Sequence, residues 1–376
     1  MTVKRLGHNS FHGDSGNIAA TKCNVAFASA FKRLFCQEFE WCESVNRGEP
    51  CLCLRLPFSD WCYVKGETAF SGRGGMFERV LVATDFEDGL YRFGLCLQSF
   101  RESGVQQLGF VHAIPWKGNQ VGGLPPSMEA EMGEATAYIK RYLQADASAE
   151  LAPDIIVQVG KPSEVIRQAI DSFKPDVMVL GMPSRSLLAE KVFGSTTIGL
   201  IPQLEVPVLI VRPPMASALT EAELNLRCRD LFNYLLLPCD LENVTQTLLA
   251  KVAEALQKGD GRQTDRLLLL HVMETTASRR FVTADADAQL SSAQEKLAAL
   301  GAELTERIPA SVAVDTEVRV GIPVKEILSA AQDYDITAIA TTSRNTGRIW
   351  EWTVPSVAGE LLRRSWHSVL FFPAFD

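Results

Sequence analysis

The chain has 376 residues, of which 47% are hydrophobic and 22% charged, and a formal net charge of −8. That length suits two to three domains of ordinary globular composition. The negative charge excludes a general binder of nucleic acid or anionic membrane, and the longest apolar runs fall short of the ~20 residues that cross a bilayer.

No sustained apolar region follows Lys4 and Arg5, so no secretory signal is read and a cytoplasmic location is expected. Residues 1–75 stand apart from the rest. They hold six of the nine cysteines (Cys23, Cys36, Cys42, Cys51, Cys53 and Cys62) and show no sustained period beyond a short helical stretch over 25–39. Three readings are open. His8 and His12, with Cys51-x-Cys53 near Cys62, would suit a metal, although the spacing is not the C-x2-C of a zinc knuckle. The segment would also serve as an arm for a partner. The preferred reading is that it lies outside the mature protein: Ser71-Gly72-Arg73-Gly74-Gly75 is built mostly of Gly and Arg, whose codons are purine-rich, as a ribosome-binding site translated in frame would look, and Met76 follows. A dinucleotide fingerprint must follow a strand, and this glycine run precedes one. The ordered protein is expected to start near Met76, with no metal site.

From Met76 the elements alternate. Residues 79–84 (RVLVAT) read as a strand, 90–100 as a helix, and 107–114 (QLGFVHAI) as a strand. A Gly/Pro loop leads to a long helix over 127–147, and a third strand ends at Gly160. Pro162 opens a helix to about 173, because the first helical turn does not need the missing N–H. DVMVLG is a fourth strand; after a small-residue loop, a helix over 195–204 leads to a fifth strand at 206–211.

The second half repeats this order. YLLLPCD (234–240) answers VLVATD, and LLLLHVM (267–273) answers LGFVHAI with its histidine in the same place. Gly321 and Pro323 match Gly160 and Pro162, DITAIAT matches DVMVLGM, and HSVLFF matches VPVLIV. Order, spacing and shared residues together mark an internal duplication. The domains are read as 1–75, an irregular Cys-rich extension; 76–214; a linker at 215–230; and 231–376. Continuous apolar strands separated by helices imply doubly wound parallel sheets covered on both faces, with any ligand at the carboxyl ends of the strands where the order reverses.

These residues resemble the universal stress protein family in tandem form, over Met76 to Asp376. The carriers are VLVATD, the VHA and LHV of the second strands, VGKP and VGIP, and the loop after the fourth strand. The resemblance implies a five-stranded parallel sheet in each half, in the order 3-2-1-4-5, with the halves paired through their fifth strands as an internal pseudo-dimer. It also admits a homodimer of two such chains.

Family members that carry nucleotide have G-x2-G-x9-G-[ST] after the fourth strand. Here it reads Gly181-x2-Ser184-x9-Gly194-Ser195. Gly194, Ser195 and Thr196 open a helix whose unpaired N–H groups and dipole favour an anion. Ser184 keeps its amide donor but disfavours positive φ, at a cost of about 1 kcal/mol if a left-handed backbone is needed. By resemblance, Thr84 and Asp85 lie near the adenosine end, the backbone of Ala113 near the base, and Leu180 and Gly181 against the ligand. The plainer alternatives stand beside this: Asp85 as a helix N-cap, and the Gly-Ser-Thr loop as a cap without ligand. ATP, with or without magnesium, or AMP is the expected cofactor.

The second copy departs from the motif. Thr342 and Asn345 stand at the first two glycine positions and Pro355-Ser356 at the Gly-Ser, so an amide donor is lost to proline. Trp350 and Trp352 add bulk, read as filling rather than as a partner surface. His112 and His271 read as structural, and His367 has no acid or nucleophile at useful spacing. Arg185 and Lys191 read as solvated loop charges. No catalytic residue is assigned. The expected function is an ATP- or AMP-binding regulatory protein of the stress response, with one active site in the first domain and an unidentified protein partner. The alternatives are a scaffold that takes no nucleotide and a slow ATP hydrolase.

Overall fold

The computed structural model describes residues 75–86, 89–116, 124–143, 151–181, 204–212, 220–241, 243–259, 263–274, 283–342 and 356–373. The metal and partner-arm readings of residues 1–74 fall outside the described residues.

The first half contributes β1 (Arg79–Ala83), β2 (Gln107–Ile114), β3 (Asp154–Val159), β4 (Val177–Gly181) and β5 (Val208–Val211). The second contributes β6 (Tyr234–Cys239), β7 (Arg266–Glu274), β8 (Ala313–Gly321), β9 (Ala338–Thr342) and β10 (Ser368–Phe372). The helices are α1 (Leu97–Glu102), α2 (Pro126–Leu143), α3 (Pro162–Phe173), α4 (Glu221–Arg229), α5 (Asn243–Lys258), α6 (Thr283–Arg307), α7 (Pro323–Asp333) and α8 (Val357–Arg364). A 3-10 turn over Leu90–Leu95, entered through Gly89 at φ 79°, takes the first part of the stretch read as one helix.

Each half has the strand order 3-2-1-4-5 with parallel neighbours, and the halves join edge to edge. β5 and β10 pair antiparallel, with Ile210 opposite Val369, Leu209 opposite Leu370 and Val208 opposite Phe371, so one ten-stranded sheet results. Backbone groups that would have lined two open edges satisfy one another at this seam.

The strands are buried on both sides, as their unbroken apolar runs require. Val80 and Val82 point into a core that runs under α1, α2, α5 and α6 across both halves. Leu81 points the other way, to α3, and Leu236 to α7. Leu361 and Leu362 of α8 divide between the two cores on that side.

The halves repeat in backbone detail. Pro162 and Pro323 occupy the first turns of α3 and α7. Lys174 and Asp335, 161 residues apart, both have φ of 52° where those helices end. Phe86 and Leu241, each following the aspartate after its half's first strand, lie at φ 67° and 60°. A bulky side chain in that left-handed region costs about 1–2 kcal/mol, so the strain at both strand ends is compensated by packing.

Two contacts fix the entry to β1. Asp176 Oδ2 accepts the N–H groups of Glu78 (3.1 Å) and Arg79 (2.9 Å). Gln263, buried in the second half, accepts the Phe77 N–H at 2.8 Å and donates to the Phe77 carbonyl at 3.3 Å. Gly259 makes room here, since a Cβ on it would stand 2.0 Å from the Gly75 carbonyl carbon.

The stretch read as a linker contains α4. Thr220 caps it by accepting the Glu223 N–H at 3.1 Å, and Leu224 and Cys228 are buried in the shared core. Ser99 of α1 donates to Asn225 at 2.8 Å, which ties the helix to the first half.

Candidate functional site

β1 lies between β2 and β4, and the chain leaves β1 toward β2 but returns through β4. The order therefore reverses between β1 and β4, which is where a doubly wound sheet opens a crevice. Ala83 is level with Val111 on one side and Leu180 on the other. The next residues, Thr84 and Asp85, thus stand between Ala113 and Gly181 at the carboxyl edge. Five of the residues read from sequence (Thr84, Asp85, Ala113, Leu180 and Gly181) are brought together here. Ser184, Gly194, Ser195 and Thr196, with Arg185 and Lys191, lie outside the described residues.

Thr84 serves the fold. Its N–H donates to Val111 O (3.1 Å), its Oγ1 accepts from the Phe86 N–H (3.1 Å), and its carbonyl accepts from His112 Nδ1 (2.8 Å). A carbonyl only accepts, so the proton of the neutral His112 ring is on Nδ1. Asp85 is exposed at the rim, while Ala113 and Gly181 are half-buried.

An aromatic wall that sequence reading missed stands beside them. The Phe86 ring lies 4.2 Å from the ring of His112 and 4.9 Å edge-on from Tyr138 of α2. Tyr91 closes the group at 5.4 Å from Tyr138. The left-handed backbone at Phe86 turns its ring onto His112. Because the four rings come from four separate stretches, only the Asp85-Phe86 adjacency was visible in the sequence.

The second crevice has the same frame, and several of its polar groups hydrogen-bond within the fold. His271 Nδ1 donates to Cys239 O at 2.7 Å, the counterpart of His112 to Thr84. Thr245 accepts the Asp240 N–H at 2.9 Å and donates its hydroxyl to Asp240 Oδ1 at 2.6 Å. Five residues after Asp85 the chain has Leu90, which carries no hydroxyl. Thr342, at the position of Gly181, is buried and donates to the Phe372 carbonyl at 2.8 Å. Ser356, at the position of Ser195, caps α8 by accepting the Gly359 N–H at 3.0 Å. Burial beside Asp240 pushes the Cys239 thiol up to about 12, so it stays protonated. Asn345, Trp350, Trp352 and Pro355 lie outside the described residues.

Among the described residues no group of three or more His, Cys, Asp or Glu is placed to hold a metal ion, and no helix is long and apolar enough to cross a membrane.

Comparison with known proteins agrees with this frame. The model of the Universal stress protein family matches residues 76–212 and again 233–373. A universal stress protein from Archaeoglobus fulgidus DSM 4304 superposes with a TM-score of 0.54 at 20% identity, over 79% of this chain and 99% of that one. At that identity the likeness is one of fold. A universal stress protein from Lactobacillus plantarum matches with 18% identity over 38% of this chain and 97% of its own, at a TM-score of 0.31. A universal stress protein solved in complex with cAMP matches with 16% identity over 38% of this chain and 97% of its own, at 0.28. No curated protein matches the chain.

Proposed function

The chain belongs to the universal stress protein family, with two such domains in tandem, and from that premise we propose that it is a nucleotide-binding regulatory protein that uses only its first crevice. The contrast between the two crevices carries this reading. At one position the first half has Gly181, which has no side chain to exclude a ligand, and the second has Thr342 with its hydroxyl bonded to Phe372.

In this reading Asp85 takes the adenosine end, the Ala113 backbone and the wall of Phe86 and His112 flank the base, and Leu180 and Gly181 lie against the ligand. The amides of Gly194, Ser195 and Thr196, with Ser184, receive the phosphates of ATP or AMP as a helix N-terminus does. Magnesium would have to be held largely by the nucleotide's own phosphates, because the described residues offer no acidic cluster for it. The bound state would then be read by a protein partner.

The test is calorimetry of the full chain with ATP, Mg-ATP, AMP and cyclic AMP. The reading expects one site per chain, lost in Gly194→Val and kept in Asp240→Ala. Absence of binding by all four nucleotides, or two equivalent sites, would refute it.

A further inference from the structure

At the seam between the halves lies a buried cation, Arg212. Arg212 follows β5 and is 4% exposed. Its Nη2 donates to the carbonyls of Leu361 and Leu362 near the end of α8, but its Nε is buried without a hydrogen-bond partner. Among the described residues no carboxylate pairs with it. Burial lowers its pKa to about 10, the mark of a guanidinium held away from water.

His367 stands across the seam. Ile210 is level with Val369 in the antiparallel pairing, and continuing that register two residues sets Arg212 opposite His367. Val208, Ile210, Val369 and Phe371 share the core beneath α3 and α8, so alternation puts residues 212 and 367 on that side as well. The Nδ1 of His367 is also buried without a partner. Two unpartnered nitrogens thus face the same side of the seam.

Helix capping alone does not account for this arrangement. The carbonyls of α8 are partly negative and offset some of the cost of the charge, but they leave Nε–H unmatched. The internal repeat supplies the control. The positions equivalent to Arg212 and His367 are Pro373 and Val206, 161 residues away in each case. At that end of the seam the strand residues themselves are uncharged, and they border a cavity of about 270 Å³ whose lining also includes Lys251, Lys258, Asp176, Glu205 and Glu254. The strand pairing therefore does not require a cation at this position of the repeat, and Arg212 and His367 are particular to one end of the seam.

We propose that Arg212 and His367 form a binding site for a small phosphoryl oxyanion, held by the guanidinium with His367 beside it. A phosphate oxygen fits an unmatched N–H on a planar, always-charged group better than any neutral acceptor does. The phosphate has two sources. Gly181 of β4, which borders the first crevice, is level with Val211, so Arg212 is placed one residue beyond the end of the neighbouring strand β5. A phosphate tail of a bound nucleotide and free inorganic phosphate present the same chemistry there.

The experiment follows the imidazole NMR signals of the full wild-type chain, labelled on histidine and assigned by comparison with His367→Gln. Inorganic phosphate is titrated first, then AMP, then ATP. Saturable movement of the His367 signal, with at least about tenfold weaker binding in Arg212→Lys, supports the site, since a lost charged hydrogen bond has about that effect. Movement with phosphate alone, unchanged by saturating AMP, identifies free phosphate. Movement with ATP but with neither AMP nor phosphate identifies the nucleotide tail; that arm rests on the proposed function, and Gly194→Val separates the two by abolishing ATP binding while leaving phosphate alone unaffected. A His367 signal that moves with neither phosphate nor ATP overturns the inference even where calorimetry shows nucleotide bound elsewhere.

Discussion

His112 donates through Nδ1 to the carbonyl oxygen of Thr84 at 2.8 Å, and so holds the end of β1 to β2 at the point where the crevice opens. His271 repeats the bond to Cys239 at 2.7 Å in the second half. A contact present on both sides belongs to the frame. Replacing either histidine by alanine takes this partner from the carbonyl of a buried residue, Thr84 or Cys239, and is expected to cost about 1–3 kcal/mol. Urea unfolding of the two variants should show losses of similar size, with the larger at His112, which also loses its stacking on Phe86.

The proposed difference between the two crevices gives a transplantation test. Gly181→Thr places in the first half the residue that the second half carries at Thr342. Nucleotide affinity is expected to fall at least about tenfold, equivalent to about 1.4 kcal/mol. Calorimetry reads the loss, and circular dichroism checks that the sheet is intact.

Thr245 both accepts from and donates to Asp240. Thr245→Ala removes this reciprocal cap from the start of α5 and should cost about 1 kcal/mol. Ser356→Ala, at the N-cap of α8, should cost about as much. Neither change should alter nucleotide binding in the first half; a large effect there would mean that the two crevices are coupled through the sheet.

Burial lowers the pKa of His367 from its ordinary 6.5. The folded protein therefore binds this proton less readily than the unfolded chain, so its contribution is fully present above about pH 6.5 and is lost as pH falls through the depressed folded value. In denaturant titrations the difference between wild type and His367→Gln should shrink on acidification through that window. A difference that stays constant or grows would contradict the burial of the ring.

Gln263 matches both backbone groups of Phe77 from the opposite half. Gln263→Leu keeps the bulk but strands the N–H and carbonyl, and is expected to cost about 2–3 kcal/mol. Hydrogen exchange at the Phe77 amide should accelerate more than exchange in the centre of β1.

What could be read from the sequence was what repetition made visible. Gly160 with Pro162 and Gly321 with Pro323 marked two strand-to-helix junctions, because a proline needs a first helical turn and the apolar runs beside it needed cover. The helix α4 was passed over as linker although Thr220-x-x-Glu223 is a capping-box signal; its few apolar residues give it no clear face, and its burial comes from α1. The pairing of β5 with β10 was implied by the family resemblance, but its register was not, and so Arg212 and His367 could not be set opposite each other. The wall of Phe86, Tyr91, His112 and Tyr138 was hidden for the same reason, since each ring arrives from a different stretch. The glycine loop after Gly181 was read from its motif alone.

The seam of β5 and β10 also has a consequence for concentration. An edge-to-edge contact between separate molecules weakens on dilution, whereas here each edge strand is tethered to its counterpart and meets it at a local concentration fixed by the connecting chain. Such a joint persists however scarce the protein becomes in the cell. Every copy also carries Gly181 at one crevice edge and Thr342 at the other in fixed ratio, a composition that random assortment of two separate gene products would not guarantee.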